Sequence, residues 1–353
     1  MRSASVLALL TALLVACSPA PASSPAPTAP NAPAPTVSSG PGASATTPPQ
    51  LVRVPIGYSV LSGDPLPIWV AKEAGLFARH GIEAELTYLG GSTRVVEAIM
   101  AGELRLGQIG GSSGLNAALG GADIVMVGSV ASVFVQSLFA RPEISSVADL
   151  RGRTIGVTAR GATTDFAAQA VLRRAGMDPL RDATIIQTGG IAETLAAVQS
   201  GGAQAGVFPP PQTLRARAAG LRELVNLAAE REPFEQGPLG TTRRYLQENP
   251  EVVRGFLRAI VEAIALTKKD EALAKQVLSQ YARTDDPQEL EETYRIYVHS
   301  VVQPVPYVSA EGLQAVLDLI ENPRAREVRP EQFMDNSYLQ ELEASGYIRR
   351  LYE

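Results

Sequence analysis

The segment QIGGSSGLNAAL (108–119) sets Gly110, Ser112 and Gly114 in the spacing G-x-S-x-G. That spacing can hold a serine on a sharp strand-to-helix turn, where its hydroxyl attacks if a histidine base and an oxyanion hole stand beside it. The flanks suit such a turn: LRLGQI (104–109) reads as a strand and LNAAL (115–119) as a helix start. The other requirements are not met. Of the two histidines, His80 ends a surface-like helical pattern and His299 lies inside the helical pattern EETYRIYVHSVV (291–302). Neither follows a late strand, and no H-G-G-G segment supplies an oxyanion hole. Ser112 is therefore read as a helix-start residue whose turn binds a ligand without cutting it, and no catalytic residue is assigned. The single cysteine and the two distant histidines have no metal-ligand spacing, so neither a metal nor a cofactor is expected.

That cysteine, Cys17, closes an apolar run, VLALLTALLV (6–15), set behind Arg2. Ten residues are too few to span a bilayer and match the core of a signal peptide. The ending LVAC resembles the lipobox of bacterial lipoproteins. The likeness implies that residues 1–17 direct export, that Cys17 carries lipid, and that only this anchor touches membrane. Residues 18–50 hold ten prolines, eight alanines and no charge. Such a segment cannot bury enough surface to fold and reads as a disordered, extended linker. The remainder, 51–353, has the composition of a soluble globular body, expected to be a monomer. A net charge of −5 without a lysine-arginine cluster argues against nucleic acid.

Shifted by 99 residues, the sequence partly overlays itself. Ile56-Gly57 falls on Ile155-Gly156, Gly90-Gly91 on Gly189-Gly190, and Ala98, Gly102 and Gly107 on Ala197, Gly201 and Gly206. Each copy opens with a strand, VRVPIGYS (52–59) or RTIGVTA (153–159), followed by a loop and a helix. The first helix is predicted over PIWVAKEAGLFARHG (67–81). A second strand, IEAELTYL (82–89) or ATIIQT (183–188), runs into the paired glycines and a second helix. A short third strand leads into GGSSG (110–114) or PPPQT (209–213). Strands alternating with helices at this spacing predict an α/β fold with mainly parallel sheets.

In open parallel sheets, ligands sit outside the carboxyl ends of the strands. Those ends are loops 59–67, 90–93 and 110–114 in one copy, and 158–166, 188–192 and 208–213 in the other. The candidate ligand-binding residues are accordingly Ser62, Asp64, Ser92, Thr93, Ser112 and Ser113, faced by Arg160, Thr163 and Thr164, with Trp69 and Phe208 as an apolar wall. Helix N-termini at these loops suit a small anion, and a neutral polar heterocycle is the competing ligand. Beyond the second copy the pattern turns helical. Asn249-Pro250, Asp286-Pro287 with Glu289, and Ser309 mark helix starts. Glu289, Glu291 and Glu292 read as solvated surface.

The segments LPIWVAKEAGLFARHGIEAEL (66–86), GGSTRVVEAIMAGELRLGQIG (90–110), SVADLRGRTIGV (146–157), LAAVQSGGAQAGVF (195–208), LQENPEVVRGFLRAIVEAI (246–264) and DNSYLQELEASGYIRRLY (335–352) carry a family likeness. The chain resembles the periplasmic solute-binding proteins of ABC transporters, in the branch of aliphatic-sulfonate, nitrate and thiamine-precursor binders. The resemblance implies a two-lobed clamshell of type 2, with lobe 1 from 51–140 and 236–353 and lobe 2 from 141–235. It places the links at VFVQSLFARPEI (133–144) and FEQGPLGTT (234–242). The implied function is delivery of a small solute to an ABC permease and ATPase. Alternatives are a ligand-sensing partner of a membrane receptor or a non-ABC transporter, and a serine hydrolase using Ser112. Some thiamine-pyrimidine synthases share the fold, but they need histidine and cysteine clusters that this chain lacks.

Overall fold

A computed structural model describes residues 51–353, so the signal-peptide, Cys17 lipidation and linker expectations for 1–50 lie outside the described residues. The first copy runs β1 (Val52–Tyr58), α1 (Leu66–Glu73), α2 (Leu76–Arg79), β2 (Ile82–Tyr88), α3 (Ser92–Ala101), β3 (Leu106–Gln108), α4 (Gly111–Leu119) and β4 (Ile124–Ser129). Its first helix is split at Gly75, whose φ of +67° ends α1 and restarts the chain as α2. After β5 (Ser137–Ala140) the same series returns as β6 (Thr154–Val157), α5 (Thr163–Arg174), β7 (Thr184–Gln187), α6 (Ile191–Ser200), β8 (Ala205–Phe208), α7 (Gln212–Ala218) and β9 (Arg222–Asn226). The chain then enters β10 (Pro238–Thr242).

Two five-stranded sheets form, ordered β2-β1-β3-β10-β4 and β7-β6-β8-β5-β9. They correspond strand for strand. β1 pairs in parallel with β2 and β3, as β6 does with β7 and β8. β10 and β5 are the antiparallel strands, each inserted fourth in its sheet. The exchange is reciprocal, since β5 leaves the first copy for the second sheet and β10 returns to the first. Ser137–Ala140 therefore lies in the second sheet, not in lobe 1 as its place before residue 140 suggested. All four of its residues are buried between β8 and β9, so this short apolar strand has no solvated side to pattern it.

The chain crosses between lobes just before β5 and just before β10. Val133 and Pro233 bridge antiparallel there. The Phe134 N–H donates to the Glu232 carbonyl at 3.0 Å and the Phe234 N–H to the Ser132 carbonyl at 3.3 Å. The Phe134 and Phe234 rings stack with centroids 3.9 Å apart.

The remaining helices are α8 (Arg243–Glu248), α9 (Pro250–Lys269), α10 (Glu271–Ala282), α11 (Pro287–Tyr294), α12 (Ala310–Leu319), α13 (Ser337–Ala344) and α14 (Tyr347–Arg350), with a π-helical turn at Arg295–Val301. α9 buries the predicted stripe Val253, Phe256, Leu257, Ile260 and Ile264 against α1 and the first sheet. α12 packs Leu313, Val316 and Leu317 into the second core, against both α4 and α5. Asp286 caps α11 through the Gln288 and Glu289 N–H groups, and Ser309 caps α12 through that of Gly312. The Asn249 amide instead donates back to the Tyr245 carbonyl. Among the described residues, no helix is long and apolar enough to cross a membrane.

Candidate functional site

The loops expected to bind do follow the carboxyl ends of β1, β2 and β3 and of β6, β7 and β8. On the first lobe, hydroxyls and amides join the three loops. Ser92 donates to the Ser59 hydroxyl at 3.2 Å, and Ser59 donates to Gln108 Oε1 at 2.8 Å. Thr93 and Ser113 lie 3.4 Å apart, hydroxyl to hydroxyl. Ser112 sits in the first turn of α4, 7 % exposed. Gly111 beside it has to be glycine, because a Cβ would fall 2.2 Å from the Glu235 carbonyl oxygen.

On the second lobe, Thr164 lies in the first turn of α5 and bonds locally, its hydroxyl 2.8 Å from that of Thr158. Thr163 is the first residue of that helix and is half-buried. Arg160 is not a free cation: its guanidinium pairs with Asp165 at 3.3 Å, and its backbone N–H donates to Gln187. Asp165 is in turn held by the Gly161 N–H and by Gln169.

Two cavities bring residues of both copies together. One, of about 520 Å³, is lined by Asn116 of α4, by Arg160, Gly161, Asp165 and Gln169, and by the segment after α12. The other, of about 150 Å³, sets Leu61 and Ser62 against Pro211, Gln212 and Arg215, with Thr284, Glu289 and Thr293 behind them.

Asp64 is buried behind Ser62, a residue of the second cavity. Its Oδ2 accepts from the Ser62 hydroxyl at 3.0 Å and from Tyr297 at 3.2 Å. Burial lifts its carboxyl to about 6, with hydrogen bonding from Ser62, Tyr297 and Gln236 pulling the other way. Tyr297 comes from the π-helical turn and lies flat over Gly63. Close by, Gln136 and Gln236 bond to each other at 3.3 Å across the two crossing segments.

The two residues expected as an apolar wall are both buried. Trp69 is fully buried, stacked on Tyr281 with centroids 5.0 Å apart and edge-on to Tyr58. Phe208 is fully buried against Phe139. Trp69 therefore faces the interior of its own lobe, while Phe208 also lines a cavity of about 240 Å³ with Ile191, Leu195, Gln212 and Arg215, all of the second copy. Of the α11 carboxylates expected on a solvated face, Glu291 is exposed, but Glu289 and Glu292 are buried. Glu289 pairs with Arg215 at 2.7 Å and Glu292 with Arg217 at 3.0 Å, linking α11 to α7 of the second copy. Glu289 also accepts from Thr284 instead of closing a capping box.

The histidines are engaged elsewhere. His80, expected at the surface, is half-buried 2.8 Å from Glu262, and His299 packs edge-on to Tyr294. Sequence reasoning missed Ser59, Gln108, Asn116, Gln136, Gln236 and Tyr297. A polar residue ending an apolar strand could have flagged Ser59 and Gln108, whereas Tyr297 sits in an ordinary helical stripe.

Residues 63–272 match the family described as NMT1/THI5 like. The chain belongs to this family. Its fold is shared with the alkanesulfonate-binding protein SsuA of Xanthomonas axonopodis pv. citri bound to MOPS, with a TM-score of 0.65 at 22% identity, covering 81% of this chain and 98% of that one. It is shared too with the periplasmic nitrate-binding protein NrtA of Synechocystis PCC 6803, with a TM-score of 0.68 at 14% identity, covering 87% and 92%. In sequence, the chain is 29% identical over 271 residues to the riboflavin-binding protein RibY of Chloroflexus aurantiacus, 75% of this chain and 74% of that protein. The fold expected from the sequence is therefore the one observed, a periplasmic-binding-protein fold with two mixed sheets flanked by helices.

Proposed function

We propose that this protein is an extracytoplasmic receptor that captures a small solute between its lobes and delivers it to the permease and ATPase of an ABC importer. The observation that carries the reading is the meeting of strand-end loops from both copies around one cavity, Leu61 and Ser62 with Pro211 and Gln212. Ligands of open parallel sheets bind at such ends, and the crossing segments allow the lobes to move about them. The names of the relatives, sulfonate-, nitrate- and riboflavin-binding, support a small-solute role. Lipidation at Cys17 would hold the receptor at the membrane, and Cys17→Ser should abolish the acyl mass.

Native mass spectrometry of gently purified protein tests the capture step, with a retained small molecule as the expected result. Small-angle scattering with that molecule added back should show a smaller radius of gyration. A chain that retains nothing and does not contract with any solute would refute the reading.

A further inference from the structure

We propose that α7 and α11 form an ionic latch that helps to hold the two lobes closed and releases them as ionic strength rises. The latch adds a closing force to the receptor proposed above. Its test needs no solute, so the two readings fail separately.

The two helices belong to different lobes. α7 packs on β8 and β9, with Ala216 in an apolar cluster of the second sheet that includes Phe139 and Phe208. α11 packs on α10, which lies on α1, and Tyr294 at its end is buried in the core of the first sheet. Among the described residues, no apolar cluster holds side chains of both helices. Polar side chains make the link instead. Arg215 donates through Nε and Nη2 to Glu289 Oε1, at 3.1 and 2.7 Å. Arg217 donates to Glu292 Oε1 at 3.0 Å, and the Thr213 hydroxyl donates to the same oxygen at 3.4 Å. Thr213 and Arg217 are four residues apart and Glu289 and Glu292 three apart, so one face of each helix supplies the whole link.

The lobes are joined differently where the chain crosses between them. There Phe134 and Phe234 share one buried core with Leu115 and Leu119 of α4, Phe166 of α5 and Leu313 of α12. That continuous apolar contact marks the side about which the lobes turn. At the latch, the guanidinium side chains of Arg215 and Arg217 are 62 % and 38 % exposed, so water and salt ions reach them. The same latch residues, Arg215 and Glu289, line the cavity of about 150 Å³ with Ser62 and Gln212. Closing the latch therefore closes one wall of that cavity.

Each half is also held ready from its own side. Thr284 donates to Glu289 at 2.8 Å, and Arg295 donates to Glu292 at 2.9 Å. On the other lobe, Glu223 of β9 accepts from Arg217 at 2.9 Å. Few rotamers have to be frozen when the halves rejoin, so more of the attraction goes into closure.

Small-angle scattering of the full chain without solute reads closure through the radius of gyration. In about 0.01 M salt, Glu289→Gln combined with Glu292→Gln should have a larger radius than the parent, with a closed-to-open ratio about five- to thirtyfold lower. Raising salt to about 1 M, where the Debye length falls to about 3 Å, should expand the parent and leave the double variant unchanged. Glu289→Arg, which opposes two guanidinium groups, should expand the chain at low salt. Adding Arg215→Glu reverses that pair and should restore both the compact radius and its salt response. The restored radius separates a charge latch from a defect in the folding of α11. Equal radii of the parent and the neutral double variant at low salt overturn the latch. So does a parent indifferent to salt, or a reversed pair that stays expanded.

Discussion

Glu235 and Ser309 meet where the chain recrosses between the lobes, the Ser309 backbone N–H donating to Glu235 Oε2 at 2.9 Å. The other carboxyl oxygen accepts from the Ser129 hydroxyl. The Glu235 carbonyl accepts the Gly111 N–H at 3.1 Å, and its own N–H donates to the Gly312 carbonyl at 3.1 Å. One residue thus ties the end of β4 and the first turns of α4 and α12 to the second crossing segment.

Burial lifts the Glu235 carboxyl to about 8, against hydrogen bonds from Ser129, Ser309 and Ser132. Its folded pKa is above its unfolded one, so its contribution is fully present below the ordinary glutamate range and is lost as pH rises toward 8. The slope is at most about 1.4 kcal/mol per pH unit. Glu235→Gln, neutral throughout, should flatten the fall in stability between about pH 5 and about pH 8. Urea unfolding of both proteins across that range checks this, and equal slopes would refute it.

Gly63→Ala should destabilise the fold by about 1–3 kcal/mol, since its Cβ overlaps the Tyr297 ring. Combined with Tyr297→Ala, the clash disappears, and the double variant should lose less than the sum of the two single changes. Additive losses in chemical denaturation would show that the two residues do not act on each other.

The α7–α11 link predicts a measurable coupling. Burial raises the Glu292 carboxyl, but hydrogen bonds from Arg295 and Arg217 outweigh it and hold it below the usual glutamate value. Arg217 is more than a third exposed, so solvent screening keeps its coupling to Glu292 to about 0.5–1 kcal/mol. A double-mutant cycle of Arg217→Ala and Glu292→Gln should return that value, and a coupling of zero would refute the link.

Ser112 should resist a fluorophosphonate probe. It has the spacing of a nucleophile, but His80 is bound to Glu262 and His299 packs on Tyr294. Mass spectrometry after labelling should find Ser112 unmodified. An adduct there with ester turnover would make the protein a hydrolase.

Trp69 is the single tryptophan of the chain and lies wholly inside the first core on Tyr281. Its emission should be blue-shifted and insensitive to iodide, with or without solute. Strong quenching would return it to the cleft wall that its place in the sequence suggested.

Local punctuation was legible because it depends on neighbours along the chain. Gly90-Gly91 and Gly189-Gly190 do precede α3 and α6, and Gly102 and Gly201 end those helices with φ of +75° and +83°. The apolar stripe of α9 and the caps at Asp286 and Ser309 follow from residues within two turns. These signals, repeated at a spacing of 99, were enough to determine two α/β copies and the loops at their strand ends.

What lay between distant segments was decided only in three dimensions. An apolar run of four residues such as SLFA carries no address, so β5 entering the opposite sheet depended on the gap between β8 and β9. Asp64 meets Tyr297 across 233 positions, and Arg217 meets Glu292 across 75. Periodicity reports which side of a helix is apolar, as for Tyr297 and Trp69, but not which buried group that side will touch. Burial and charge pairing belong to the packed pair, and the partner is not a neighbour in sequence.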